Sequence, residues 1–124
     1  MANTGLKGSF PLTTDSIDEN VTRTSPGTYV LGHNNDNTFI VEYVGRSDSD
    51  VNTRLKQWVD KNYSRFKFDY FDSLKAAFEK ECNIYHDFGG PSGKLDNDKH
   101  PQRPEGSSWQ CPRCNVFKVE GRWY

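Results

Sequence analysis

The sequence predicts one small α+β domain with three strands and two helices, and three observations lead there. At 124 residues the chain has the length of a single domain, which buries roughly two-thirds of its unfolded surface. Two stretches alternate apolar and polar residues at strand period, and two others repeat at helix period. Apolar residues make up only 33% of the chain while aromatic residues make up 14%, so a few large rings must build the core.

Residues 1–25 are polar, rich in Ser, Thr, Asn and Asp, and carry no periodicity. They read as an N-terminal arm, with the domain proper over 26–124. Strands are expected at 28–32 and 38–45, joined by the turn-forming "HNNDN" in which His33 reads as a turn residue. In the second strand Phe39, Val41 and Tyr43 fall on one face, and Ile40, Glu42 and Val44 on the other. "SDSD" at 47–50 supplies N-caps for a helix whose apolar stripe is Val51, Leu55 and Trp58, with Arg54 at its edge. "RFKFDYF" at 65–71 alternates strictly and predicts a third strand with Phe66, Phe68 and Tyr70 on one face. A second helix follows over about 73–86. The next 24 residues, "DFGGPSGKLDNDKHPQRPEGSSWQ", are Gly, Pro, Ser and charge, and loops of that length are functional or disordered.

Charge is nearly balanced overall, at −1, but unevenly spread. Residues 1–45 hold two basic and five acidic residues, 54–67 five and one, and 99–124 five and two. Two basic segments can form one phosphate-facing surface if the fold joins them; otherwise they are a solvated helix face and a charged tail. No run reaches the length of a membrane span, and "MANTGLKGSF" lacks the features of a signal peptide. An intracellular protein without structural disulfides is therefore expected.

The second helix carries the decisive residue. At about 100° per residue, Leu74, Ala77, Phe78 and Tyr85 form one stripe, and Glu81 falls in its middle while Glu79 falls opposite. A buried carboxylate needs a partner, because its desolvation costs several kcal/mol, of order 3 or more. Two readings fit: an ion pair with Arg54, or a metal ligand at the mouth of a site. Cys82 and His86 lie one helical turn apart beside that stripe, and "CPRC" adds Cys111 and Cys114. Together they make a Cys3His set for tetrahedral Zn²⁺ that uses all three cysteines and staples the C-terminal tail, about 87–124, to the helix. His100 is the alternative source of a ligand, and a redox pair is the alternative for "CPRC".

Gly27-Thr28-Tyr29, Tyr43-Val44-Gly45, Arg54 and Glu81 follow one another in an order that resembles the GIY-YIG endonuclease domain over about residues 26–86. Thr28 stands where the family usually has Ile or Val. The resemblance implies a three-stranded antiparallel sheet flanked by helices. It also implies metal-dependent hydrolysis of DNA phosphodiester bonds, with Glu81 holding one Mg²⁺ or Mn²⁺. Tyr29 matches the assigned general base and Tyr43 a positioning residue, with the exchanged assignment left open. Arg54 would contact the phosphate, Arg46 is a second phosphate ligand, and Asn97 is a counterpart of the family's downstream Asn. The chemistry is coherent, since hydrolysis builds negative charge that a cation and an arginine stabilise. So small a domain would draw specificity from DNA structure, a homodimer or a partner protein. The competing readings are a non-catalytic zinc-containing nucleic-acid-binding module and a zinc-stabilised protein-interaction domain that uses the terminal "WY".

Overall fold

The computed structural model describes residues 4–117. Its elements in chain order are β1 (Lys7–Pro11), α1 (Thr14–Asn20), β2 (Gly27–Asn35), β3 (Thr38–Ser47), α2 (Val51–Lys56), β4 (Arg65–Tyr70), α3 (Leu74–Asp87) and a 3-10 turn, Gly90–Ser92. The strands form one antiparallel sheet in the order β1-β4-β2-β3. It has four strands where three were expected, because the segment read as a polar arm supplies β1. Lys7 to Pro11 pair with Phe68 to Arg65, and Leu12, Ile17 and Val21 from the same segment are buried in the core. These pieces escape periodicity: a five-residue strand containing Gly8 and Pro11 and a seven-residue helix are too short to show one.

The sheet buries both faces. Tyr29 and Leu31 point into a core with Val51 and Leu55 of α2, Ile17 of α1, and Phe66 and Phe68 of β4. Val30 and Val44 point the other way, against Ile84 and Tyr85 of α3 and Leu95 beyond it. Helices α2 and α3 both start at side-chain caps: Asp50 accepts from the Asn52 amide and Ser73 from the Ala76 amide.

The β2–β3 hairpin corrects one expectation. Leu31 pairs with Tyr43 but Gly32 with Val41, so Glu42 is the extra residue of a bulge. The bulge breaks the alternation of β3. Phe39 and Val41 pack toward α3, whereas Tyr43 turns to the α2 face and joins Tyr29. Gly32 is required there, because a Cβ would sit 1.8 Å from the Ile40 carbonyl oxygen. His33, expected in the turn, is a residue of β2 whose Nδ1 lies 2.9 Å from Glu42 Oε1. No helix among the described residues is long and apolar enough to cross a membrane. The terminal "WY" lies outside the described residues.

Candidate active site and metal centre

β3 is an edge strand, and residues from both faces of the sheet converge beside it. Tyr29, Tyr43, Arg46, Arg54 and Glu81 all line one cleft of about 570 Å³. Trp58 and Tyr63 line it from the stretch between α2 and β4, and the segment 96–102 forms its outer wall.

Tyr29 is 1% exposed, and its ring lies over Gly45. The two glycine-tyrosine motifs are therefore halves of one contact: a Cβ on Gly45 would come 2.4 Å from both Cζ and Oη of Tyr29. Trp58 Nε1 donates to Tyr29 Oη at 2.8 Å. Indole has no acceptor, so the phenol oxygen must receive this bond and keep its own proton for another direction. Burial pushes the Tyr29 phenol well above its ordinary range, and Tyr43 beside it adds to the rise; the Trp58 bond and Arg54 pull it back. The Tyr43 phenol is also raised, by burial first and then by the charge of Glu81. Neither tyrosine is a ready base without added positive charge.

Glu81 sits where the helical wheel put it, 7% exposed, on the buried stripe with Ala77, Phe78 and Tyr85. Glu79 lies off that stripe, partly exposed. The partner of Glu81 is not the one expected. Arg46 Nη1, rather than Arg54, donates to Glu81 Oε1 at 2.7 Å. Arg54 lines the cleft and reaches the Arg46 carbonyl oxygen at 3.4 Å. The alternation of β3 explains the choice, since Arg46 shares its face with Val44, toward α3, and Arg54 comes from α2. Arg46 also pairs with Asp48 and donates to the Gln102 carbonyl oxygen at 2.8 Å. Burial lifts the Glu81 carboxyl to about 7 against the pull of Arg46, with Asp48 adding to the rise. Glu81 shares the cleft with Asp96 and Asp98 of the wall. Mg²⁺ keeps most of its waters and needs only one or two protein oxygens, so Glu81 can serve as its ligand.

A second cluster lies next to the cleft. The donor atoms of His86, His100, Cys111 and Cys114 all fall within 4.8 Å of one another, so this group could hold a metal ion such as zinc. Three of its six edges are close to those of a tetrahedral site. His86 Nε2 is 3.3 Å from His100 Nε2, and the contacts Cys111 Sγ–His86 Nε2 and Cys114 Sγ–His100 Nε2 are both 3.4 Å. A tetrahedral zinc site has N–N edges of about 3.3 Å and N–S edges of about 3.6 Å, given bonds of roughly 2.05 and 2.3 Å. The surrounding bonds also suit metal ligation. His100 Nδ1 lies 2.8 Å from the Pro101 carbonyl oxygen, a bond that leaves Nε2 free of its proton. The Arg113 amide donates to Cys111 Sγ at 3.3 Å, and the Val116 backbone to Cys114.

The set is Cys2His2, and here the structure corrects the expected Cys3His group. His100 takes the place assigned to Cys82, which is fully buried with Phe78 and Cys111. In Co²⁺-substituted protein, Cys82→Ala should keep the visible spectrum of a tetrahedral thiolate site, whereas His100→Ala should lose it. The reverse result would restore Cys82 as the ligand.

The wall 96–102 has no helix or strand of its own, yet several bonds fasten it. The Asp96 amide donates to the Glu42 carbonyl oxygen at 2.7 Å. The Asn97 side chain accepts from the Val44 amide at 3.1 Å and donates to the Val44 carbonyl oxygen at 2.8 Å, as a neighbouring strand would. Tyr63 Oη donates to Asp96 Oδ2 at 2.8 Å. Ordering such a segment costs about 1–2 kcal/mol per residue. Each of these bonds returns a net of about 1 kcal/mol, so they fall short of that cost. No signal of local sequence marks Trp58, Tyr63 and the wall as cleft residues, apart from the unusual length of the loop. No protein-family model matches this chain, and no curated protein or solved structure matches it either.

Proposed function

We propose that this protein is a metal-dependent endonuclease of the GIY-YIG type, hydrolysing phosphodiester bonds in DNA. The observation that carries the reading is the meeting of Tyr29, Tyr43, Arg46, Arg54 and Glu81 in one cleft, although they come from two strands and two helices. In this reading Arg54, and Arg46 once released from Glu81, stabilise the charge that grows on the phosphate. Glu81 holds Mg²⁺ or Mn²⁺, which when bound supplies positive charge at the phosphate. Tyr29, once Arg54 and the added cation charge have let its own proton pass to solvent, would take the proton of the attacking water as the phenolate while Trp58 steadies its oxygen. Tyr43 would orient the water. The cluster of His86, His100, Cys111 and Cys114 holds Zn²⁺ in a structural role, since four protein ligands leave no position for substrate.

The test is cleavage of plasmid, branched and single-stranded DNA with Mg²⁺, Mn²⁺ or EDTA. Cutting that stops with EDTA is expected. Silence on every substrate by folded, zinc-loaded protein would favour the second reading, a non-catalytic nucleic-acid-binding module. One observation speaks for that second reading: Glu81 Oε1 already has a partner in Arg46. Affinity that falls steeply with salt, without cleavage, would then be its signature.

A further inference from the structure

We propose that the ion held by His86, His100, Cys111 and Cys114 is what orders the outer wall of the neighbouring cleft, making the cleft's shape dependent on a metal outside it. The inference does not rest on the nuclease reading, because it concerns the wall and not the reaction.

His100 belongs to both places: it lines the cleft and supplies one of the four donor atoms. The first half of the wall is fastened to the sheet through Asp96 and Asn97. At its second half, Gln102 offers a carbonyl oxygen to Arg46, and His100 makes edge contacts with the rings of Tyr85 and Phe117. Pro101 is buried as well, and to these contacts the donor cluster adds a further tie. It joins His86 on α3, His100 in the wall and the Cys111–Cys114 turn of the tail. Without a cation the two thiols offer the imidazoles only weak S–H···N contacts, at 3.4 Å for both Cys111–His86 and Cys114–His100. With one, three separate pieces of chain are bonded to a single point.

The consequence reaches the carboxylate. Two residues after His100, the Gln102 carbonyl oxygen accepts from the same Arg46 nitrogen that donates to Glu81. A wall that loosens therefore loses one of the groups that hold Arg46 against Glu81. His100 and Asn97 are positioning residues in this scheme, acting on the cleft through the segment between them.

Amide hydrogen exchange on the full chain tests the idea directly, comparing protein with one equivalent of Zn²⁺ and protein treated with a chelator. Zinc should slow exchange over residues 95–102 by at least tenfold, while the β2–β3 hairpin amides change by less than twofold. His100→Ala should leave the wall fast even with Zn²⁺ present. Three results would overturn the proposal. One is stoichiometric zinc binding with no change in the wall, and another is no zinc binding at all. The third is hairpin exchange that rises in parallel with the wall on metal removal, which would make the ion a support for the whole fold. Because amide exchange and not cleavage is read, failure here is separate from failure of the nuclease assignment.

Discussion

Glu81→Gln should lower metal-dependent cleavage by about 10³-fold or more, while leaving the metal-free protein as stable as the wild type or more so. On the proposed nuclease reading, the activity loss follows from removing the carboxylate assigned to the divalent ion. The stability gain follows from burial. The Glu81 carboxyl is lifted from 4.5 to about 7, so the folded chain holds its proton more tightly than the unfolded chain does. Stability from that proton is fully present below about 4.5 and is lost as pH rises through 7. Above that range the ionised carboxylate costs on the order of 3 kcal/mol, at 1.36 kcal/mol per unit. Gln keeps the shape and can accept from Arg46 without the charge. The difference in melting temperature between variant and wild type should therefore widen from pH 5 to pH 8. Glu79→Gln, off the buried stripe, should change cleavage by less than about twofold. Equal losses at the two positions would refute the assignment of Glu81.

Gly45→Ala is the second change with a large expected effect. A Cβ at 2.4 Å from the Tyr29 phenol carbon and oxygen cannot be accommodated without moving the ring. The ring is enclosed in the core and held by Trp58, so overpacking should cost about 1–3 kcal/mol. A displacement of about 1 Å at a catalytic group costs on the order of 10² in rate. Thermal melting and single-turnover cleavage would both register the change. Tyr29→Ala alone should cost more, about 3–5 kcal/mol for the cavity it leaves, but the double variant should lose less than the sum of the two single changes, because the clash disappears with the ring. A Gly45→Ala protein that melts and cuts like wild type would show that the two motifs do not touch.

Local chemistry made much of this protein legible in advance. The phase of α3 was set by Phe78 and Tyr85, and it put Glu81 inward before any partner was known. The "SDSD" stretch ending at Asp50 announced the start of α2, and Phe66, Phe68 and Tyr70 the face of β4. His86, Cys111 and Cys114 could be singled out because helix spacing and C-x-x-C spacing are properties of neighbouring residues.

Choices between distant partners were not legible. Arg46 and Arg54 are both close to Glu81 in sequence logic, but only the pleat of β3 decides which guanidinium reaches α3. His100, read as a substitute for His86, instead joins it, because the path of the 88–100 stretch, which has no period, brings it into a donor group that Cys82 does not enter. The one-residue bulge at Glu42 turned Tyr43 toward Tyr29, against the alternation of its own strand. The segment before Gly27 supplied β1 and α1 because the sheet offered β4 an open edge and the core offered Ile17 a place. The sequence by itself determined the class of fold, the inward carboxylate and three members of the Cys/His group, since these depend on residues a turn or a pleat apart. The tertiary structure alone decided which groups meet, because pairing across the chain depends on register, bulges and loop paths that local spacing does not encode.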